Sequence, residues 1–159
     1  MIFVTVGTQL PFDRMVKKVD EWAAARQRDD AFAQIGPTDW VPQHIASKPF
    51  MKPAEFQDKF NQADAIVSHA GMGTILTALE QGKPILVMPR RADLREHRTD
   101  HQLATVEKFR DRAGVLIAMD ETELFDRLDE LERLQGPEAI PRQASKELLD
   151  AIRRFVNED

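Results

Sequence analysis

Ala65-Ile66-Val67-Ser68-His69, followed at once by Ala70-Gly71-Met72-Gly73-Thr74 and then by Gly82-Lys83-Pro84-Ile85-Leu86-Val87-Met88, decides how this chain folds. The first run is short, apolar and β-branched, and it ends in a glycine turn. Residues 74–81 carry helical character, and the second apolar run over 84–88 reads as another buried strand. Strand, turn, helix and strand in this order make a βαβ unit, which builds a parallel sheet.

The same alternation extends outward in both directions. Upstream, residues 2–6 form a strand, and a helix over 11–26 follows, with Phe12, Met15, Val16, Val19 and Trp22 at helical spacing. Pro11 suits a first helical turn. Residues 31–35 read as a strand and 44–51 as a weaker one, made edge-like by Pro42, Pro49 and Pro53, before a helix over 54–62. Downstream, a helix over 101–112 leads through Gly114 to a strand over 115–118. Two amphipathic helices close the chain from about residue 121. The stripe Leu124, Phe125, Leu128, Leu131 and Leu134 packs on the sheet. The segment 140–156, with Leu148, Leu149, Ile152, Phe155 and Val156, either packs on its own domain or presents a face to a partner. The expected fold is α/β: one Rossmann-like domain over residues 1–159, with a mostly parallel sheet and helices on both faces.

Composition narrows the function. The 159 residues are 42% hydrophobic and 31% charged, which is ordinary for a folded globule. No cysteine is present, so disulfide frameworks and thiolate metal sites are excluded. A net charge of -5 argues against a nucleic-acid partner, which calls for a basic balance or stripe. No signal peptide and no apolar run of the ~20 residues a membrane helix needs is visible, so a cytoplasmic location is expected.

Gly7-Thr8-Gln9 and the loop Ser68 to Thr74 both follow strands, on the edge where open α/β sheets bind ligands. Unpaired backbone N–H groups and a helix dipole there favour phosphate, and each loop alone also serves as a tight turn. His69 is either a ligand contact or a histidine satisfied by backbone. Leu76 stands where a dinucleotide fingerprint wants a third glycine, and no P-loop lysine is present. Arg90 and Arg91 keep an NADP-binding alternative open. Arg90, Arg91, Arg95, His97 and Arg98 read first as a solvated, salt-bridged loop, and second as an attractor for an anionic sugar, a lipid diphosphate or a membrane surface.

Taken together, His69-Ala70-Gly71-Met72-Gly73-Thr74, Gly82-Lys83-Pro84 and His101-Gln102 resemble the donor-binding half of GT-B glycosyltransferases. Phe3-Val4-Thr5-Val6-Gly7-Thr8-Gln9 with Pro11-Phe12-Asp13 is similar to the small catalytic subunit of bipartite UDP-sugar transferases. That group includes the dolichol-pathway N-acetylglucosaminyltransferase subunit and bacterial exopolysaccharide subunits. The resemblance covers residues 1 to about 120.

It implies a UDP-sugar donor, with Gly7, Thr8, Gly71, Gly73 and Thr74 at the diphosphate and His69 as the catalytic group that stabilises departing UDP. Gln102, with His101 beside it, would hydrogen-bond the donor sugar. Where relatives carry a ribose-binding glutamate this chain has Thr77, with Glu80 as the second candidate. The resemblance further implies no metal and no other cofactor, and a lipid-linked saccharide acceptor. A membrane-anchored acceptor-binding subunit would hold the chain at the inner face of the membrane. A non-catalytic nucleotide-sugar-binding regulatory module is the alternative.

Overall fold

The computed structural model describes residues 1–140 and places along them β1 (Ile2–Thr5), α1 (Asp13–Arg26), β2 (Ala31–Gln34), β3 (Ala46–Lys48), α2 (Pro53–Gln62), β4 (Ala65–His69), α3 (Met72–Glu80), β5 (Ile85–Met88), α4 (His101–Phe109), β6 (Val115–Ile117) and α5 (Glu121–Leu131). The six strands form one sheet in the order β3-β2-β1-β4-β5-β6. Every pairing in it is parallel. The expected Rossmann-like architecture is therefore present, and the described sheet is wholly rather than mostly parallel. The strand order reverses between β1 and β4, and ligands bind outside the strand carboxyl ends at such a switch point.

Continuous apolar strands are what a sheet covered on both faces requires. β1 and β5 are buried at every position. Ile2 and Val4 join a core with Met15, Val19 and Trp22 of α1 and Leu124, Leu128 and Leu131 of α5. Phe3 points to the opposite core, with Phe60 of α2, Ile75 and Leu79 of α3 and Val106 of α4. Its ring meets Phe56 edge-on at 5.3 Å. Burying each such side chain contributes about 1.5–3 kcal/mol.

Several boundaries differ from expectation. β3 is confined to Ala46–Lys48 rather than 44–51, because Asp20 of α1 claims the backbone just before it: its carboxylate accepts N–H bonds from Gln43, His44 and Ile45 at 3.1, 2.8 and 3.0 Å. Burial works to raise the Asp20 pKa, but the His44, Gln43 and Ile45 donors outweigh it and leave the group below the usual carboxylate range. α1 begins at Asp13, not Pro11, so a connector separates the Gly7 loop from the helix start. Of the two closing helices, α5 is present, and 141–159 lie outside the described residues. Lys83 of the Gly-Lys-Pro motif ties the end of α2, donating to the carbonyls of Asn61 and Ala63 at 2.8 and 2.5 Å. Among the described residues no helix is long and apolar enough to cross a membrane.

Candidate donor-binding site

At the switch point lies a cleft of about 310 Å³, lined by Val6 to Leu10 after β1, by His69, Gly71, Gly73 and Thr74 after β4, and by Arg90, His97 and Gln102 after β5. Three consecutive strand ends thus contribute walls, as the parallel register brings Thr5 beside Ser68 and Ser68 beside Val87. The volume lies at the lower edge of the ~300–1,000 Å³ usual for small-molecule sites.

His69 sits between two glycines. A Cβ added at Gly71 would lie 2.4 Å from its Nε2, and one at Gly7 would lie 3.0 Å from its Cε1. Gly7 also adopts φ +77°, which L side chains rarely take. The imidazole therefore occupies the space of a Cβ at Gly71, and Gly7 answers both to the imidazole and to its turn. Burial pushes the His69 pKa down to about 4; the Arg90 and His97 charges add to this, and the Thr5 carbonyl opposes it. The ring is neutral at pH 7, with Ser68 Oγ 3.3 Å from Nδ1. A neutral imidazole there offers one N–H donor rather than a cation.

Gly73 differs from the other two: a Cβ there would meet no protein atom within 4 Å. Packing does not require this glycine, which leaves free room in the cleft wall. No side chain caps α3. The first-turn N–H groups of Met72, Gly73 and Thr74 therefore lack intrahelical acceptors, and the positive end of the helix dipole opens on the cleft. This arrangement suits a phosphate. The Gly7 loop contributes differently than expected, since the Gly7 N–H already donates to Thr5 Oγ1 at 3.2 Å and no helix starts there. Thr8 remains an exposed part of the wall.

Gln102 is buried, and its Oε1 accepts the Arg90 backbone N–H at 3.0 Å. Its Nε2 makes no hydrogen bond among the described residues, so both of its N–H donors are left for a ligand. His101 and Thr77 are not among the residues lining the cleft. His101 is exposed, its ring 5.5 Å from that of His97. Thr77 Oγ1 donates to the Gly73 carbonyl one turn back at 2.9 Å, a local bond that turns the hydroxyl to its own helix.

The arginine cluster divides. Arg91 pairs with Asp93, as a solvated loop predicts, but Arg90 is only 3% exposed, and its guanidinium donates to backbone carbonyls. The reading of Arg90 as solvated is corrected, and so is its use for an NADP phosphate. Arg90 and His97 are cleft residues that sequence reasoning left in the loop. The available signal for Arg90 was its position just past the end of a buried strand. No group of three or more His, Asp or Glu that could hold a metal occurs among the described residues.

A wholly parallel sheet with this switch-point cleft defines a Rossmann-like half-domain of the GT-B kind. The chain belongs to the family described as glycosyltransferase family 28 C-terminal domain, which it matches over residues 1–155. It is 28% identical over 109 residues to the human UDP-N-acetylglucosamine transferase subunit ALG13, a match covering 62% of this chain and 10% of that protein. The mouse counterpart is 30% identical over 105 residues, covering 60% and 9%. The chain thus spans only about a tenth of the length of these curated relatives. Among solved structures, the NMR structure of ALG13 aligns with a TM-score of 0.62 at 18% identity, over 95% of this chain and 93% of that one. MurG of Acinetobacter baumannii aligns at 0.63 and 17% identity, over 96% of this chain and 49% of that one. At these identities the likeness establishes the fold.

Proposed function

We propose that this chain is the donor-binding catalytic subunit of a glycosyltransferase, moving a sugar from a UDP-sugar to a lipid-linked saccharide acceptor in cell-surface polysaccharide assembly. The observation that carries the reading is the uncapped start of α3, with room at Gly73 and a neutral His69 beside it, at the switch point of the sheet. A diphosphate meets first-turn N–H donors there, and the imidazole N–H stabilises charge as UDP departs. Family membership supports sugar transfer, and the relatives named as UDP-N-acetylglucosamine transferase subunits support uridine diphosphate as the carrier. We assign Gln102 Nε2, at the cleft wall, to the donor sugar. We assign the acceptor site to a membrane-anchored partner subunit, which would hold this chain at the cytoplasmic face.

Titration calorimetry tests the donor site directly. UDP is expected to bind equally well with and without a chelator, because the donors are backbone N–H groups and an imidazole. Binding that requires added magnesium would refute this site.

Gly73→Ala separates the needs of the fold from those of the ligand. Replacing a helical glycine gains about 0.5–1 kcal/mol of stability, whereas a methyl group blocks close approach of the phosphate to the backbone. The variant should melt at or above the parent temperature and bind UDP about tenfold more weakly. Unchanged UDP affinity in a stably folded variant would remove Gly73 from the site.

A further inference from the structure

Arg90 follows β5 and reaches back beneath the cleft to the loop that follows β1. Its Nη2 donates to the carbonyls of Val6 and Leu10, both at 2.7 Å, and its Nη1 to those of Pro11 at 2.8 Å and Glu96 at 3.2 Å. Three of these acceptors bracket Gly7, Thr8 and Gln9, and the fourth lies in the loop that carries His97. One planar fork therefore sets the spacing between two walls of the cleft.

The network around Arg90 keeps the fork in place. Gln102 Oε1 accepts the Arg90 backbone N–H. Glu96, the nearest carboxylate of that loop, is taken by Arg14, whose Nε and Nη2 reach it at 2.7 and 2.8 Å, and by the Arg91 backbone N–H at 3.0 Å. Among the described residues Arg90 makes no ion pair, so its buried charge rests on neutral carbonyl dipoles. A buried cation held this way is costly unless an anion comes near. Burial accordingly draws its pKa down to about 10 against the pull of Glu96. Arg90 also stacks over the Phe12 ring at 5.0 Å, which fixes the plane of the fork.

We infer that Arg90 is a positioning residue for diphosphate recognition, holding the Gly7–Pro11 loop against the end of β5 so that this wall of the cleft keeps its place across from the start of α3. This rests on the donor-site reading above. Lysine retains the charge but cannot serve four acceptors in one plane. Arginine is needed for its shape.

The test compares the parent with Arg90→Lys by amide hydrogen exchange and by chemical-shift titration with UDP and with uridine. In Arg90→Lys the amides of residues 7–10 should exchange at least tenfold faster, with those of β1, β4 and β5 unchanged. UDP affinity should fall at least tenfold, and uridine affinity should stay within twofold. Loop exchange equal to the parent, or acceleration spread evenly over the sheet, overturns the inference, as does a parent-like UDP affinity. If the parent itself binds no UDP, the donor-site reading fails, and the exchange result alone still decides whether Arg90 holds the loop. If Arg90→Lys does not fold, the parent decides: separately resolved guanidinium Nη proton signals that shift on addition of UDP support the inference, and a single averaged signal overturns it.

Discussion

Changing His69 to alanine is expected to lower sugar transfer by about 10²–10³-fold in the assembled enzyme, the usual effect of removing one preorganised donor from a developing anion. UDP affinity should fall less than the rate, since the α3 N–H groups remain. The imidazole is enclosed by Gly7 and Gly71, so alanine leaves a void between two backbones without introducing a clash. His69→Gln, which restores an N–H donor, should recover part of the rate. The group is depressed in the fold to about 4, against roughly 6.5 in the unfolded chain. The unfolded chain therefore binds the extra proton between those values. Stability from this residue is full above about pH 6.5 and is lost as pH falls towards 4, by at most about 3 kcal/mol. Urea titrations across that window should show a slope in the parent that is absent from His69→Ala. Parent-like transfer by His69→Ala, in an assembled complex, would remove His69 from the chemistry.

The purified chain alone should show transfer at background level, with activity appearing only when an acceptor-binding partner is added. A displacement needs donor, acceptor and base held together, and a well-oriented pair of reactants is worth roughly 7–11 kcal/mol of barrier. This chain offers the donor side of such a pair. Its cleft is small for a complete site, and Leu10, Phe50, Met72 and Leu94, between 37% and 52% exposed, stand at the same edge of the sheet. Donor titration and turnover assays on the chain, with and without a candidate partner, separate binding from transfer. Efficient transfer to a lipid acceptor by the chain alone would falsify the two-subunit reading.

Much of this architecture can be read from glycines and apolar runs. Gly7, Gly82 and Gly114 punctuate strands and helices because the turn there needs φ above zero, and Gly71 because the His69 ring occupies the place of its Cβ. What the sequence hid depends on distant partners. Arg90 looks like one more loop cation until residues 6–11, some eighty positions away, supply its acceptors. The expected strand over 44–51 is longer than β3 because nothing local in His44 or Ile45 reveals that Asp20, in α1, takes their N–H groups. Thr77 was carried to a ribose role by resemblance alone, and its hydroxyl has a nearer acceptor within α3. The glycine loops and Gln102 were legible because both belong to short contiguous motifs. His97, whose neighbours are charged, gave no comparable signal.

The position of β1 has a consequence for how the chain is made. It precedes the other described strands along the chain and lies inside the sheet, with Ile2 opposite Ala31 on one side and Ala65 on the other. Parallel neighbours cannot zip through a hairpin, so each pairing must wait for a long crossover and the closure of a sizeable loop. Until β4 leaves the ribosome, Ile2–Thr5 keeps an open apolar edge, the kind of surface through which slow-folding nascent chains stick to one another. Soluble yield should therefore depend on how quickly Ala65–His69 follows, and slower growth or added chaperone should matter more for this chain than for an antiparallel fold of equal length.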